Sequence, residues 1–451
     1  MEAIVLAGGL GTRLRSSVSD LPKCLAPIVS SSVAEGCHFK TVACGDPSRS
    51  LRDHPYPLTR PRVATGFETT PSSTPPDNNN VMPDTDRASV PFLFFLLEEL
   101  GRQGVTRVIL SVGYMREKVM EYVEGREWPF EVAWAVEEEP LGTGGAIKLA
   151  LSMAREERVL VLNGDTFFHV ELADLLAVEA PVAIALKPMR DFDRYGAVEV
   201  LSSCPANAGH LTVTAFREKK PCAEGLINGG VYALDRTLFE GLELPVKFSF
   251  EAVVLEPFAK AGKVGGKVFD GYFIDIGIPA DYERAQQELP ELRRVLWCAA
   301  KVLATEADTL FLDRDGVINR YIPNDYVTSL NKFVILPGIP EVMATWAKRF
   351  RRIILVTNQR GVARGRFTRE TLDEIHRHML SVIEAAGGRI DAIYVSTAIP
   401  EDDPSRKPQT GMFLQACRDF PEIRAERSVM VGDADSDEAF ARNCGMAFVR
   451  A

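Results

Sequence analysis

Two aspartates close a short apolar run in Phe311-Leu312-Asp313-Arg314-Asp315-Gly316-Val317. A carboxylate held there can attack phosphorus. A second, two residues on, can protonate the leaving alcohol and then activate water. On this reading Asp313 is the nucleophile and Asp315 the acid/base. Alone, the pattern fits a turn or a calcium-loop fragment equally well. Three further elements follow in order. Val356-Thr357-Asn358-Gln359 offers Thr357 and Asn358 to phosphoryl oxygens, and Arg406-Lys407-Pro408 offers Arg406 as a phosphate contact and Lys407 against the pentacoordinate charge. Val431-Gly432-Asp433-Ala434-Asp435-Ser436-Asp437 supplies a strand-end carboxylate, with Asp433 the best candidate to join Asp313 and Asp315 around Mg²⁺.

A second set of residues sits near the N-terminus. Leu6-Ala7-Gly8-Gly9-Leu10-Gly11-Thr12-Arg13-Leu14 follows an apolar run and precedes a helical pattern. Glycines let the backbone approach a nucleotide, and loop N–H groups can face its phosphates. Leu6, Ala7, Gly8, Gly9, Gly11 and Thr12 are therefore candidate nucleotide contacts. Arg13 adds a fork-shaped cation, and Lys23 in Asp20-Leu21-Pro22-Lys23 a second. A tight strand-to-helix turn explains a lone glycine-rich loop as simply. For Asp165 alone a helix cap, and for Lys219 alone a solvated charge, are the plainer explanations.

The order of motifs changes that balance. The run Gly-Gly-x-Gly-Thr-Arg-Leu followed by Leu-Pro-Lys resembles the sugar-1-phosphate nucleotidyltransferases. The resemblance covers most of residues 1–285, leaving out a segment at 29–90. It implies that Glu137, Pro140, Gly142 and Thr143, in and beside Glu139-Pro140-Leu141-Gly142-Thr143-Gly144-Gly145-Ala146, hold the base. It implies that Asp165 of Asn163-Gly164-Asp165 and Asp275 of Phe273-Ile274-Asp275-Ile276-Gly277 hold the metal. Gly196, Glu218, Lys219, Asn228 and Gly229 are implied sugar-phosphate contacts. In such a reaction a sugar phosphate attacks the α-phosphorus of a nucleoside triphosphate and expels pyrophosphate. Both reactants are anions, so the barrier is largely electrostatic and positional. Met1 to Lys23 and the Glu-Pro-Leu-Gly-Thr-Gly-Gly-Ala run most resemble the guanylyltransferases of D-glycero-D-manno-heptose 1-phosphate, which implies GTP. Cys24 stands where proline is expected, and the Gly-Arg turn expected before Pro91 is missing.

The C-terminal quartet resembles the haloacid-dehalogenase superfamily over about residues 305–451. Asp313 to Asn319, Tyr326-Val327, and Thr357-Asn358-Gln359 with Gly361-Val362-Ala363-Arg364-Gly365 look like its heptose-1,7-bisphosphate 7-phosphatases and histidinol-phosphate phosphatases. Only 43 residues separate Asp313 from Thr357, too few for a large cap domain. Relatives of this type often carry a cysteine-rich zinc loop before Arg-Lys-Pro. The run Tyr394 to Pro404 has neither cysteine nor histidine, so zinc is not expected. His376 and His378 are two apart, do not share a helix face, and read as surface residues.

The elements that must position these residues follow a βα rhythm. Apolar runs at 4–6, 108–112, 159–162, 309–312, 353–356 and 428–431 read as buried parallel strands. Phe92 to Leu100 and Ala146 to Ala154 read as helices, and Gln286 to Ala304 as a helix linking the halves. The expected fold class is α/β, with two Rossmann-like three-layer domains. Residues 1–290 form a GT-A-like nucleotidyltransferase domain, 291–304 a linker helix, and 305–451 a capless HAD-like domain. Residues 29–90 carry eight prolines and no sustained period, and read as a disordered insert. The pattern resumes cleanly at Pro91, as it would after a retained intron.

The 451-residue length suits two or three domains, and 46% hydrophobic content suffices for their cores. A net charge of -10 argues against a general nucleic-acid binder. No apolar run approaches the roughly 20 residues needed to span a bilayer, and the N-terminus lacks a signal-peptide pattern. Eight scattered cysteines without a C-x-x-C pair fit a cytoplasmic protein with free thiols. The expected partners are a nucleoside triphosphate and sugar phosphates with Mg²⁺, and neither nucleic acid nor membrane; a homo-oligomer stays open. Two other readings stay open. One is a mannose- or glucose-1-phosphate nucleotidyltransferase fused to a phosphatase of other specificity. The other is a regulatory protein that binds nucleotide sugars.

Overall fold

The computed structural model describes residues 1–9, 14, 21–29, 89–202 and 210–451. In the N-terminal half the strands are β1 (Glu2–Leu6), β2 (Pro27–Val29), β3 (Ser89–Pro91), β4 (Arg107–Val112), β5 (Glu131–Val136), β6 (Arg158–Asn163) and β7 (Thr166–Phe168). After them come β8 (Val182–Phe192), β9 (Gly196–Ser202), β10 (Leu211–Lys219), β11 (Cys222–Asp235), β12 (Val264–Val268) and β13 (Phe273–Asp275). Nine of these build one mixed sheet in the order β5-β4-β1-β6-β11-β8-β12-β10-β9. The four strands β5-β4-β1-β6 are parallel, as the apolar runs predicted for β1, β4 and β6; β5 was not among those runs. Side chains alternate between faces. Ala3 and Val5 enter one buried cluster and Ile4 the opposite one. Both faces of β1 are covered, so its sequence reads as an unbroken apolar run.

The chain leaves β1 toward β4 and β5, then returns to place β6 on the other side of β1. Such a reversal opens a crevice at the carboxyl ends of the strands, where ligands bind in open α/β sheets. Gly8 and Gly9 follow β1 and Asn163-Gly164-Asp165 ends β6, so these residues face this crevice. Helix Phe92–Arg102 covers one side of the sheet and helix Gly142–Leu151 the other. The second begins four residues before the expected Ala146. Its first turn holds three glycines, whose poor helix propensity hides the start from a periodicity argument.

β2 and β3 pair antiparallel, with Pro27 opposite Pro91, Ile28 opposite Val90 and Val29 opposite Ser89. Pairing thus extends into the expected insert at Val29, Ser89 and Val90. The rest of that insert lies outside the described residues.

The C-terminal half carries β14 (Thr309–Leu312), β15 (Arg352–Asn358), β16 (Ala392–Ser396), β17 (Ser428–Gly432) and β18 (Ala447–Arg450). All pair in parallel, in the order β16-β15-β14-β17-β18. The reversal between β14 and β17 again places a crevice at strand tips. The architecture is mixed α/β in both halves, as expected.

One helix, Pro279–Leu303, runs between them. It starts seven residues before the expected Gln286, with Pro279 in the first turn, where its missing N–H is harmless. Leu289, Leu292, Val295, Leu296 and Val302 are buried along one stripe, and belong to a single apolar cluster that reaches from Val5 to Val431. This helix is part of the core of both halves. Among the described residues no helix is long and apolar enough to cross a membrane, and the described cysteines Cys24, Cys222, Cys298, Cys417 and Cys444 are free.

Because Val29 and Ser89 are the last paired residues of a hairpin, a two-residue Asn-Gly turn can replace residues 30–88. The shortened protein is expected to be soluble and to melt at or above the parent temperature, followed by circular dichroism.

Candidate active sites

In the C-terminal half, Asp313 leaves the tip of β14, Asp433 and Asp437 follow β17, and Lys407 enters from the loop beyond β16. Lys407 Nζ lies 2.7 Å from Asp313 Oδ1 and 2.7 Å from Asp437 Oδ1. All three side chains are buried. Burial pushes the Asp313 carboxyl up to about 7; Lys407 opposes this shift and the Asp437 charge adds to it. Burial also disfavours the Lys407 charge, yet the two carboxylates hold that ammonium above its ordinary value. Ligand oxygens of Asp313, Asp433 and Asp437 come within 4.8 Å of one another. An all-oxygen set of this size suits a hard divalent ion. Gly316 must be glycine: its φ is +83°, and a Cβ there would stand 2.0 Å from Asp433 Oδ2.

Asp315 is placed otherwise. Arg314 Nη2 donates to both its oxygens at 2.9 Å, Asn319 Nδ2 to Oδ1 at 2.9 Å and Gln359 Nε2 to Oδ2 at 2.8 Å. Burial disfavours its charge, but Arg314, Asn319 and Gln359 outweigh that and hold it below the ordinary carboxylate value. Its side chain therefore stands apart from the acidic group in which the sequence put it, and Asp437 completes that group instead. The signal for Asp437 was present four residues after Asp433, but the run offers three aspartates and only the helix starting at Asp435 turns the last one inward.

Thr357 is buried at the end of β15, and its Oγ1 accepts from Gln359 Nε2 at 2.9 Å. The Asn358 amide holds the Lys407 backbone from both sides: Nδ2 donates to Lys407 O and Oδ1 accepts from Lys407 N, each at 3.1 Å. Asp313, Asp315, Asn358, Arg406, Lys407 and Asp433 line one cavity of about 920 Å³. Tyr326, Arg360 and Arg364 also line it, and the sequence reading gave none of them a site role. Gln359 was likewise passed over. His376 corrects an expectation. It is buried, with Nε2 3.4 Å from Arg314 Nη1, and burial together with the Arg314 charge pulls its pKa down to about 4. His378 is exposed, as expected.

In the N-terminal half, Leu6, Ala7, Gly8, Gly9, Lys23, Glu137, Pro140, Gly142, Thr143 and Asp165 line a cavity of about 510 Å³. Gly11, Thr12 and Arg13 lie outside the described residues. Glu137 fixes the loop it begins, accepting from Ser111 Oγ at 3.2 Å and from Leu141 N at 3.0 Å. Gly142 has φ +70°, and a Cβ would meet Phe248 O at 2.6 Å, so only glycine fits this turn. A second cavity of about 260 Å³ holds Lys219, Asn228, Gly229 and Asp275. The two cavities share Asn163 and Glu251.

Lys23 Nζ sits 2.6 Å from Asp165 Oδ2 and 3.8 Å from Asp275 Oδ1. Burial and the Asp165 charge raise the Asp275 carboxyl, although Lys23 opposes this. Two converging carboxylates with one raised by the other suit a shared cation. Glu218 is turned out of this site: its side chain is 86% exposed and 3.5 Å from Lys220. Gly196 pairs with Lys219 across the β9–β10 ladder and contributes backbone alone. Arg194, Tyr195, Lys247 and Glu251 line the cavities and were not foreseen, because no motif marks them.

Comparison with known proteins bears on each half. Residues 85–291 match the Nucleotidyl transferase family and residues 308–450 the Polynucleotide kinase 3 phosphatase family. The D-glycero-alpha-D-manno-heptose 1-phosphate guanylyltransferase of Aneurinibacillus thermoaerophilus is 38% identical over 293 residues, covering 64% of this chain and 98% of that protein. The corresponding enzyme of Campylobacter jejuni is 37% identical over 62% of this chain and 97% of its own length. The D-glycero-beta-D-manno-heptose-1,7-bisphosphate 7-phosphatase of Helicobacter pylori strain J99 is 34% identical over 137 residues, 30% of this chain and 77% of that protein. The chain belongs to both of these enzyme families, one in each half. It is thus a fusion of a nucleotidyltransferase with a HAD-like phosphatase.

Two measurements test the phosphatase half. Asp437→Asn keeps the volume but removes one carboxylate from Lys407, and is expected to lower phosphate release about 100-fold while pyrophosphate release is unchanged. The native state keeps His376 neutral. Its stabilisation is therefore complete above the ordinary value of 6.5 and is lost as pH falls from 6.5 to about 4. That loss amounts to about 3 kcal/mol. His376→Gln should flatten the fall of melting temperature across this window, read by scanning calorimetry.

Proposed function

We propose that this chain carries out two consecutive steps on one sugar. The C-terminal site removes the 7-phosphate of D-glycero-D-manno-heptose 1,7-bisphosphate, and the N-terminal site joins the resulting heptose 1-phosphate to GMP drawn from GTP. The observation that carries this reading is that the N-terminal half matches an enzyme named for the alpha-heptose 1-phosphate, while the C-terminal half matches 7-phosphatases named for the alpha and for the beta 1,7-bisphosphate of that heptose. Each half also holds a cavity at its strand tips lined by both carboxylate and basic side chains. The choice of guanine and of heptose rests on those relatives.

In the phosphatase reaction, Asp313 attacks phosphorus while the bond to the C7 oxygen breaks. Asp315, held as a carboxylate in the free site, takes up a proton as substrate binds and gives it to that oxygen. Asp315 then takes a proton from water, the water oxygen attacks the aspartyl-phosphate, and phosphate leaves with Asp313 restored. Lys407 balances charge on the phosphoryl group, and Asn358 keeps Lys407 in place. In the transferase reaction, a phosphate oxygen of the sugar attacks the α-phosphorus of GTP, and the bond to pyrophosphate breaks. No protein nucleophile takes part. Lys23 and Arg13 offset charge on the triphosphate, and Lys219 holds the incoming phosphate. Mg²⁺ would be held by Asp313, Asp433 and Asp437 in one half and by Asp165 and Asp275 in the other, and would neutralise phosphate charge there.

The test supplies the full-length protein and Mg²⁺ with each nucleoside triphosphate and a panel of sugar phosphates. Orthophosphate from heptose 1,7-bisphosphate, and pyrophosphate only when GTP meets heptose 1-phosphate, are expected. Asp313→Asn should abolish the first and spare the second. Faster pyrophosphate release with mannose or glucose 1-phosphate would overturn the heptose assignment.

A further inference from the structure

The helix Pro279–Leu303 reaches the nucleophile loop of the other half. Arg294 Nη1 donates to the carbonyl oxygen of Gly316 at 2.8 Å. One turn earlier, Glu291 accepts from Arg320 Nε and Nη2, each at 2.7 Å. Residues three apart lie on one helix face, so this face grips the segment from Gly316 to Arg320 at both ends. Between those points the segment is a tight turn. Gly316 N donates to Asn319 O at 2.7 Å, and Ile318 N to Arg314 O at 2.8 Å. The Asn319 side chain in turn donates to Asp315 at 2.9 Å. Gly316 itself touches the space of Asp433, as its missing Cβ shows.

The helix is fixed where it makes these contacts. Leu292, Val295 and Cys298 are buried, and Leu292 packs against Gly338 closely enough that a Cβ there would stand 2.6 Å from its Cδ1. Arg294 also lies between the stretches that the two families account for, 85–291 and 308–450. The contact to the nucleophile loop therefore comes from the junction of the fusion.

We infer that Arg294 is a positioning residue for the phosphatase site, holding the Gly316 carbonyl and with it the turn that presents Asp315. The inference rests on the phosphatase reading of that site. A guanidinium donor on a packed helix fixes the carbonyl of the residue that directly follows the acid/base. Loss of that donor lets the turn open without unfolding either core. The effect falls on turnover rather than on substrate binding, because Arg294 does not line the cavity.

The test uses the full chain with Arg294→Met, Arg294→Lys and Glu291→Gln. Arg294→Met should lower phosphatase kcat about tenfold with KM within about twofold, and leave pyrophosphate release unchanged. Amide hydrogen exchange at 316–320 should quicken about tenfold while the melting temperature shifts by less than about 3 °C. Arg294→Lys should restore most of the rate. Glu291→Gln, at the other grip, should give a smaller change in the same direction. Unchanged exchange and kcat in Arg294→Met would overturn the inference. So would a kcat loss matched by an equal loss of transferase rate. If the parent protein hydrolyses no phosphate ester, the phosphatase reading fails, whereas the exchange measurement still reports on the grip itself.

Discussion

Both halves depend on the same electrostatic constraint: carboxylates crowded at strand tips need a cation between them. Lys23 spans Asp165 and Asp275 in one half, and Lys407 spans Asp313 and Asp437 in the other. Without an ammonium there, each pair would repel in a site partly or wholly withdrawn from water. Breaking a buried pair of this kind costs about 3–5 kcal/mol. The two solutions differ in depth. Lys407 is 2% exposed and touches both partners at equal distance, whereas Lys23 is nearer one carboxylate and reaches solvent. The deeper lysine therefore acts as structure as well as counter-charge, and the Asn358 amide that holds its backbone makes sense in that light.

The strands set where these charges can stand. In each half the sheet reverses its winding beside the strand that carries the first motif, β1 in one and β14 in the other. Loops at that point diverge to opposite faces and leave a crevice between them. Polar side chains at the strand tips face the opening, while the middles of the strands behind them are apolar. Reaction sites and cores thus come from the same strands, divided at their last residue.

The junction has a mechanical consequence. A flexible tether would let the two sites tumble independently, but a helix whose apolar stripe is shared by both cores fixes them together. Proximity of this kind keeps a product near the next site without any contact between the sites. It also brings side chains of one half to the loops of the other, as the ion pair of Glu291 with Arg320 shows.

Local motifs in the sequence were enough to reveal the α/β class and the six buried strands, and to single out Lys23, Asp165, Asp275, Asp313, Lys407 and Asp433, which the structure gathers at strand tips. Each is tied to a short strand-loop pattern whose chemistry depends on neighbours in the chain. The structure alone could place Asp437 in the acidic group, turn Asp315 onto Arg314 and Gln359, bury His376 and expose Glu218. Those outcomes depend on which residues from distant segments share a pocket, and on which face of a helix or strand points inward once the cores pack. The same holds for the long helix: a linking helix was readable from Gln286 to Ala304, but its burial in two cores exists only after both sheets have formed around it.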